Sequence, residues 1–158
     1  MFDPNVRPSL LPGPDAMAGL RSVVAEFAAG AHLVKLSGAD LALLYPDEPV
    51  PEAAARLRAL GARTVVVTLG AAGALVLADE TAVRVPAPRV AAVDATGAGD
   101  SVMAALGADL LADGPVPEPS GWPDRVAFAL RVAGLVCESP GGAASMPTRA
   151  EVAARFPG

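Results

Sequence analysis

Four consecutive residues, Gly97-Ala98-Gly99-Asp100, combine types that can do chemistry. Glycines just ahead of a helix let backbone N–H groups approach an anion closely, and the helix N-terminus favours negative charge. Such a turn suits a phosphate or an oxyanion. An aspartate in the first helical turn would repel that anion unless it has a task of its own. One such task is to take the proton of a hydroxyl that attacks a phosphoryl group. The same residues also read as an ordinary glycine turn with an acidic residue at a helix start. On these residues alone both readings stand. Two other phosphate patterns fail. The chain has no G-x-x-x-x-G-K-[ST], and the dinucleotide pattern would need glycine where Val102 stands.

Other chemistry-bearing residues are sparse. His32, the sole histidine, precedes a strand and reads as structural. Cys137 is the sole cysteine and lies in an apolar run, which excludes a disulfide framework or a cysteine-rich zinc site and marks a small buried hydrophobe. Trp122 sits in a Pro-rich loop and reads as a hydrophobic plug. The net charge is -5 with no Lys/Arg cluster, so neither nucleic acid nor an anionic membrane surface is expected as a partner. A polyanionic ligand would be held by local donors. No apolar run reaches the ~18 residues of a membrane span, and the first residues lack a basic and apolar leader. A cytoplasmic location is expected.

The elements that would position the glycine turn follow from periodicity. Ala16, Leu20, Val23 and Phe27 recur at helical spacing, and a strand follows over 32–36. Asp40 to Leu44 form a helical turn. Ala53, Leu57 and Leu60 stripe another helix, closed by Gly61. The β-branched run Thr64 to Leu69 is too apolar for a half-exposed strand and reads as a central one, buried on both faces. Residues 73–77 and 81–85 read as a hairpin. A helix with Met103, Leu106 and Leu110 follows the glycine turn. Residues 113–123 read as an exposed loop, and Asp124 as the cap of a last long helix carrying Val126, Leu130, Ala133 and Cys137. Alternating strands and helices imply an α/β fold with a largely parallel sheet. In such sheets ligands sit beyond the carboxyl ends of the strands. Thr68-Leu69-Gly70, the glycine turn and Gly141-Gly142 all lie where that rule places a site.

Asp94-Ala95-Thr96-Gly97-Ala98-Gly99-Asp100 resembles the D-T-x-G-A-G-D signature of the PfkB/ribokinase-type carbohydrate kinases, departing from it at Ala95. Thr68-Leu69-Gly70-Ala71-Ala72-Gly73 is similar to that family's T-L-G-x-x-G nucleotide turn. Gly141 to Pro147 is similar to its closing G-A-x-x-S-x-P turn. Phe2-Asp3-Pro4-Asn5-Val6-Arg7 resembles the F-D-x-N-x-R segment of fructokinases and 2-keto-3-deoxygluconate kinases. The resemblance implies a ribokinase-like three-layer sandwich and phosphoryl transfer from ATP and magnesium to a sugar hydroxyl, with fructose the expected sugar. It implies Asp100 as the catalytic base in contact with substrate, with the N–H groups of Gly97, Ala98 and Gly99 as the anion hole. Thr68, Gly70 and Gly73 would line the nucleotide, and Arg7 would clamp a phosphate or a sugar acid group. Lys35-x-Ser37-x-x-Asp40 falls where many members have N-x-x-E, which organises the magnesium-phosphate water shell; Lys35 and Ser37 would thus bind the cofactor, and Asp40 would serve magnesium indirectly. Asp94, Thr96 and Ser145 resemble the site for a monovalent cation such as potassium.

Members of the family are about twice as long, with a sugar signature and a β-sheet lid in their N-terminal half. Neither is visible in residues 1–158. The chain is therefore expected to be the C-terminal nucleotide-binding and catalytic half of such a kinase. Its partners are expected to be ATP, a sugar, and either the missing half or a second copy. Alone it is expected to be inactive. Three alternatives are a 2-keto-3-deoxygluconate kinase, a nucleotide-binding module without kinase activity and a sugar-sensing regulator built on the same fold.

Overall fold

The structure, a computed structural model, describes residues 1–13, 15–78, 80–114, 119–141 and 146–157. The chain forms two compact units: Met1–Leu69 with Leu75–Val83, and Gly70–Ala74 with Arg84–Gly158.

The first unit is an α/β layer. Helix α1 (Ala16–Gly30) leads into strand β1 (Leu33–Ser37), followed by α2 (Gly38–Leu44), α3 (Val50–Ala59) and β2 (Thr64–Thr68). Strands β3 (Ala74–Ala78) and β4 (Thr81–Val85) complete a sheet of order β1-β2-β3-β4. β1 and β2 pair in parallel, Val34 opposite Val65 and Leu36 opposite Val67. The two-residue link between neighbours β3 and β4 makes that pair an antiparallel hairpin, so the sheet is mixed. β2 is buried on both faces, as its β-branched run predicts: Val65, Val66 and Val67 have no exposure. Val34, Leu36, Val65, Val67, Leu75 and Leu77 alternate along the strands and share one core with Val24, Ala28, Leu41, Ala54 and Leu57 from the helices.

The helical faces differ in part from the expected stripes. In α1 the buried residues are Val24 and Ala28, whereas Val23 and Phe27 are 46% and 57% exposed. The helix is apolar on adjacent faces, so spacing alone could not choose between stripes one residue apart. The smaller pair packs inward, and Phe27 stacks on Phe2 with ring centroids 5.1 Å apart. In α3, Ala53, Ala54 and Leu57 are buried and Leu60 lies outside the stripe.

The second unit is built on α4 (Ala98–Asp113), α5 (Trp122–Cys137) and α6 (Arg149–Arg155). α5 begins at Trp122, with Gly121 rather than Asp124 at the cap position. Pro123 lies in the first turn, where its missing N–H costs nothing. Trp122 is buried, not part of an exposed loop. Helix α6 is absent from the periodicity reading, although Thr148-Arg149-Ala150-Glu151 carries its start signal. The Thr148 hydroxyl accepts from the Glu151 N–H, and the Glu151 carboxylate accepts from the Thr148 N–H, a reciprocal capping box. Asp109, buried on α4, ties the three helices together. It pairs with Arg125 of α5 at 3.1 Å and Arg149 of α6 at 2.7 Å. No helix among the described residues is long and apolar enough to cross a membrane.

Candidate active site

In the second unit the glycine turn is assembled on the end of α5. The Val93 and Asp94 N–H groups both donate to the Cys137 carbonyl, at 2.7 and 3.1 Å. Asp94 Oδ1 accepts from the Thr96 N–H at 2.8 Å, and Oδ2 accepts from the Gly141 N–H at 3.3 Å. One carboxylate therefore fastens the turn before α4 to the segment after α5. The Thr96 hydroxyl, then the Thr96 and Gly141 amides, hold the Asp94 carboxyl below the usual aspartate range. Burial and the Asp94 charge push the Cys137 thiol up. Asp94 and Thr96 thus meet the start of the closing turn. Ser145, the third residue expected there, lies outside the described residues.

Gly97 caps α4 with φ +76°, the left-handed region that favours glycine. Ala98 N–H donates to Ala95 O at 3.2 Å, and Ser101 N–H to Gly97 O at 2.8 Å. Among the described residues the N–H groups of Gly99 and Asp100 have no acceptor, so the first turn of a 16-residue helix keeps donors for an anion. The Asp100 side chain is exposed beside them. Ser101 is fully buried and its hydroxyl donates to Ala98 O at 2.8 Å, which locks the turn from behind. A donor pair and an exposed carboxylate on one rigid turn can hold an anion and take a proton near it.

Gly70 and Gly73 also belong to the second unit and form a tight turn, with Gly73 N–H donating to Gly70 O at 3.0 Å. Both have positive φ, +58° and +87°. A Cβ on Gly73 would lie 2.0 Å from Val85 O. Thr68 ends β2 in the first unit, with its hydroxyl 3.5 Å from Leu36 O.

The remaining candidates share the first unit. Arg7 is exposed, and its guanidinium donates to its neighbour's carbonyl, Val6 O. The turn that carries it is pinned from below. Lys35, 4% exposed, donates to Asp3 at 2.8 Å. Asp40, equally buried, accepts from the Val6 N–H at 2.9 Å. Its other oxygen accepts from the Ser37 N–H and hydroxyl at 2.8 and 2.6 Å, while Asp40 N–H donates back to the Ser37 hydroxyl. Ser37 and Asp40 form the capping box of α2. The polar atoms of Lys35, Ser37 and Asp40 are therefore engaged with one another's loops, and they position the Arg7 turn. No group of three or more His, Cys, Asp or Glu able to hold a metal ion occurs among the described residues.

The pfkB family carbohydrate kinase pattern matches residues 1–149, and the chain belongs to that family. It is 38% identical over 106 residues to the aminoimidazole riboside kinase of Salmonella typhimurium, covering 67% of this chain and 32% of that protein. It is 33% identical over 147 residues to a fructokinase of Klebsiella pneumoniae, covering 92% of this chain and 47% of that one. Among solved structures, aminoimidazole riboside kinase from Salmonella enterica, complexed with aminoimidazole riboside and an ATP analogue, aligns at TM-score 0.86. The identity is 27%, over 99% of this chain and 52% of that one. Fructokinase from Vibrio cholerae O395, bound to fructose, ADP and calcium ion, aligns at 0.86 with 29% identity, over 97% and 49%. The chain spans about a third to a half of the length of these two curated relatives. The ribokinase-like α/β fold inferred from the motifs is the fold observed.

Proposed function

We propose that this chain is the nucleotide-binding and catalytic half of a cytoplasmic, ATP-dependent sugar kinase of fructokinase type. The observation that carries the reading is the α4 start: a left-handed Gly97 cap, unclaimed N–H groups at Gly99 and Asp100, and the exposed Asp100 carboxylate. Asp100 takes the proton of the sugar hydroxyl. The hydroxyl oxygen bonds to the γ-phosphorus as the bond from that phosphorus to the β-bridging oxygen breaks, and ADP leaves. The N–H groups of Gly97, Gly99 and Asp100 stabilise the charge of the transferring group, whereas the Ala98 N–H, also expected there, is engaged by Ala95 O at 3.2 Å. Thr68, Gly70 and Gly73 line the nucleotide, and a magnesium ion on its phosphates would offset their charge. Lys35, Ser37 and Asp40 serve by fixing the turn that carries the substrate-binding Arg7, and Asp40 would act on a magnesium ion only through water. Asp94, Thr96 and Ser145 would hold a monovalent cation, whose charge would support the anion hole.

The test uses a complete kinase containing this chain. Asp100→Asn is expected to leave nucleotide affinity nearly unchanged and to lower kcat ~10²–10⁴-fold. A kcat within a few-fold of the parent would remove Asp100 from the role. A panel of fructose, 2-keto-3-deoxygluconate and aminoimidazole riboside, run beside calorimetry with an ATP analogue, identifies the acceptor. Nucleotide binding without turnover on any sugar would favour a binding module instead.

A further inference from the structure

Three arginines from separate segments of the second unit line one cavity of about 460 Å³. Arg89 comes from the stretch after β4, Arg131 from α5 and Arg155 from the end of α6. The remaining wall is apolar, mainly Pro86, Pro88, Phe156 and Pro157. No residue of the glycine turn takes part.

The packing fixes these segments. Gly134 lets residues 88–90 lie against α5, because a Cβ there would meet Pro88 and Val90 side chains at 3.0 Å. Gly134 is three residues beyond Arg131 and shares its helix face. The stretch packed on Gly134 therefore carries Arg89 to the side where Arg131 stands, and Pro86 and Pro88 stiffen it. Glu138 ties down the two ends. One of its oxygens accepts from the Ala91 N–H at 3.3 Å and pairs with Arg155 at 3.1 Å. Arg155 also lies over the Phe156 ring, 5.0 Å from its centroid.

Charge points to the occupant. The chain carries a net -5, so a three-arginine cavity is a local feature against the global field. Glu138 offsets Arg155. Among the described residues Arg89 and Arg131 have no acidic partner. Guanidinium groups match phosphate and carboxylate oxygens in a two-pronged geometry, and the volume is that of a small-molecule site. We propose that this cavity binds a small multivalent oxyanion on a compact carbon skeleton, at a site separate from the one that carries the kinase chemistry.

The probes are pyrophosphate, glycerol 3-phosphate and citrate, titrated into the full chain at constant ionic strength and followed by the arginine Nε–H signals. The expected result is saturable one-to-one binding that shifts Arg89 and Arg131 and persists with an ATP analogue at saturation. The order of the three probes separates a phosphate ligand from a carboxylate one. Arg89→Gln and Arg131→Gln should each weaken binding about tenfold, whereas Arg84→Gln, outside the cavity, should not. Arg89 is exposed, so its substitution leaves a folded protein even if that of Arg131 does not. Shifts that never saturate, binding displaced by the ATP analogue, shifts confined to residues 97–101, or unchanged affinity in Arg89→Gln would each overturn the proposal. Failure of the Asp100 test would leave these outcomes untouched.

Discussion

Asp94 joins two stretches that are 47 residues apart through its contacts with Thr96 and Gly141. Those donors favour the carboxylate, so its pKa is lowered in the folded state. The stabilisation is therefore complete above the ordinary aspartate value of about 3.9 and is lost as pH falls through the lowered one. A carboxyl NMR titration should place the Asp94 midpoint below that ordinary value, and Asp94→Asn should loosen amide protection at Thr96 and Gly141. An Asp94 midpoint at or above the ordinary value would mean that these bonds do not persist in solution. Asp100, six residues on, has no such anchor among the described residues and is exposed.

At the scale of elements, two substitutions test the second unit. Gly73 has φ +87°, and an added Cβ would collide with Val85 O and Ala87 N. Gly73→Ala should cost about 1–3 kcal/mol for the backbone conformation alone, with the displacement of a neighbouring backbone in addition. Urea denaturation measures the loss, and a variant as stable as the parent would refute the geometry. Among the described residues Asp109 is the single acid paired with Arg125 and Arg149. Its removal leaves Arg125 mostly buried beside a gap, since that side chain is only 17% exposed. Asp109→Ala should destabilise by about 2–4 kcal/mol, and Arg149→Ala by much less, because Arg149 is 62% exposed. Equal losses from the two would show that Arg125 is not the residue left stranded.

For the whole molecule, a donor side needs an acceptor side. The chain covers 47% of the Klebsiella fructokinase and 49% of the Vibrio one. Under the proposed reading it holds the base and the nucleotide contacts. Holding hydroxyl and phosphoryl group in line is worth up to ~7–11 kcal/mol of barrier, and lid closure keeps water away. The 158-residue chain alone should bind nucleotide weakly and phosphorylate fructose negligibly. Its sheet also has a thin edge. Phe2 makes one bridge to Val34 on the side of β1 away from β2, and Met1 and Phe27 stand about half exposed beside it. Such an edge favours pairing with another chain. Sizing should show oligomers, and the N-terminal half of a related fructokinase added in trans should restore turnover if the halves dock. A monodisperse monomer with kcat of about 1–10³ s⁻¹ on fructose would contradict the assignment.

Some features follow from short stretches of chain. The glycines before Asp100 specify a left-handed cap and a helix start with donors to spare. The β-branched run at Thr64 specifies a strand buried on both faces. The Thr148-Glu151 spacing specifies the start of α6 and was open to reading, though the weak apolar stripe there hid it. What the tertiary structure alone decided are choices between distant partners or equivalent faces. An Ala- and Val-rich helix such as α1 is apolar on neighbouring faces, so only packing against the sheet selects Val24 and Ala28 over Val23 and Phe27. Lys35 could serve a phosphate or a carboxylate, and Asp3, 32 residues away, claims it. Nothing near Asp109 in the chain announces Arg125 and Arg149, and nothing near Arg89 announces Arg131 and Arg155. Charge pairing acts over a few ångströms in space, whereas periodicity and turn chemistry act over a few residues in sequence, so the second set of facts appears only once the chain has folded.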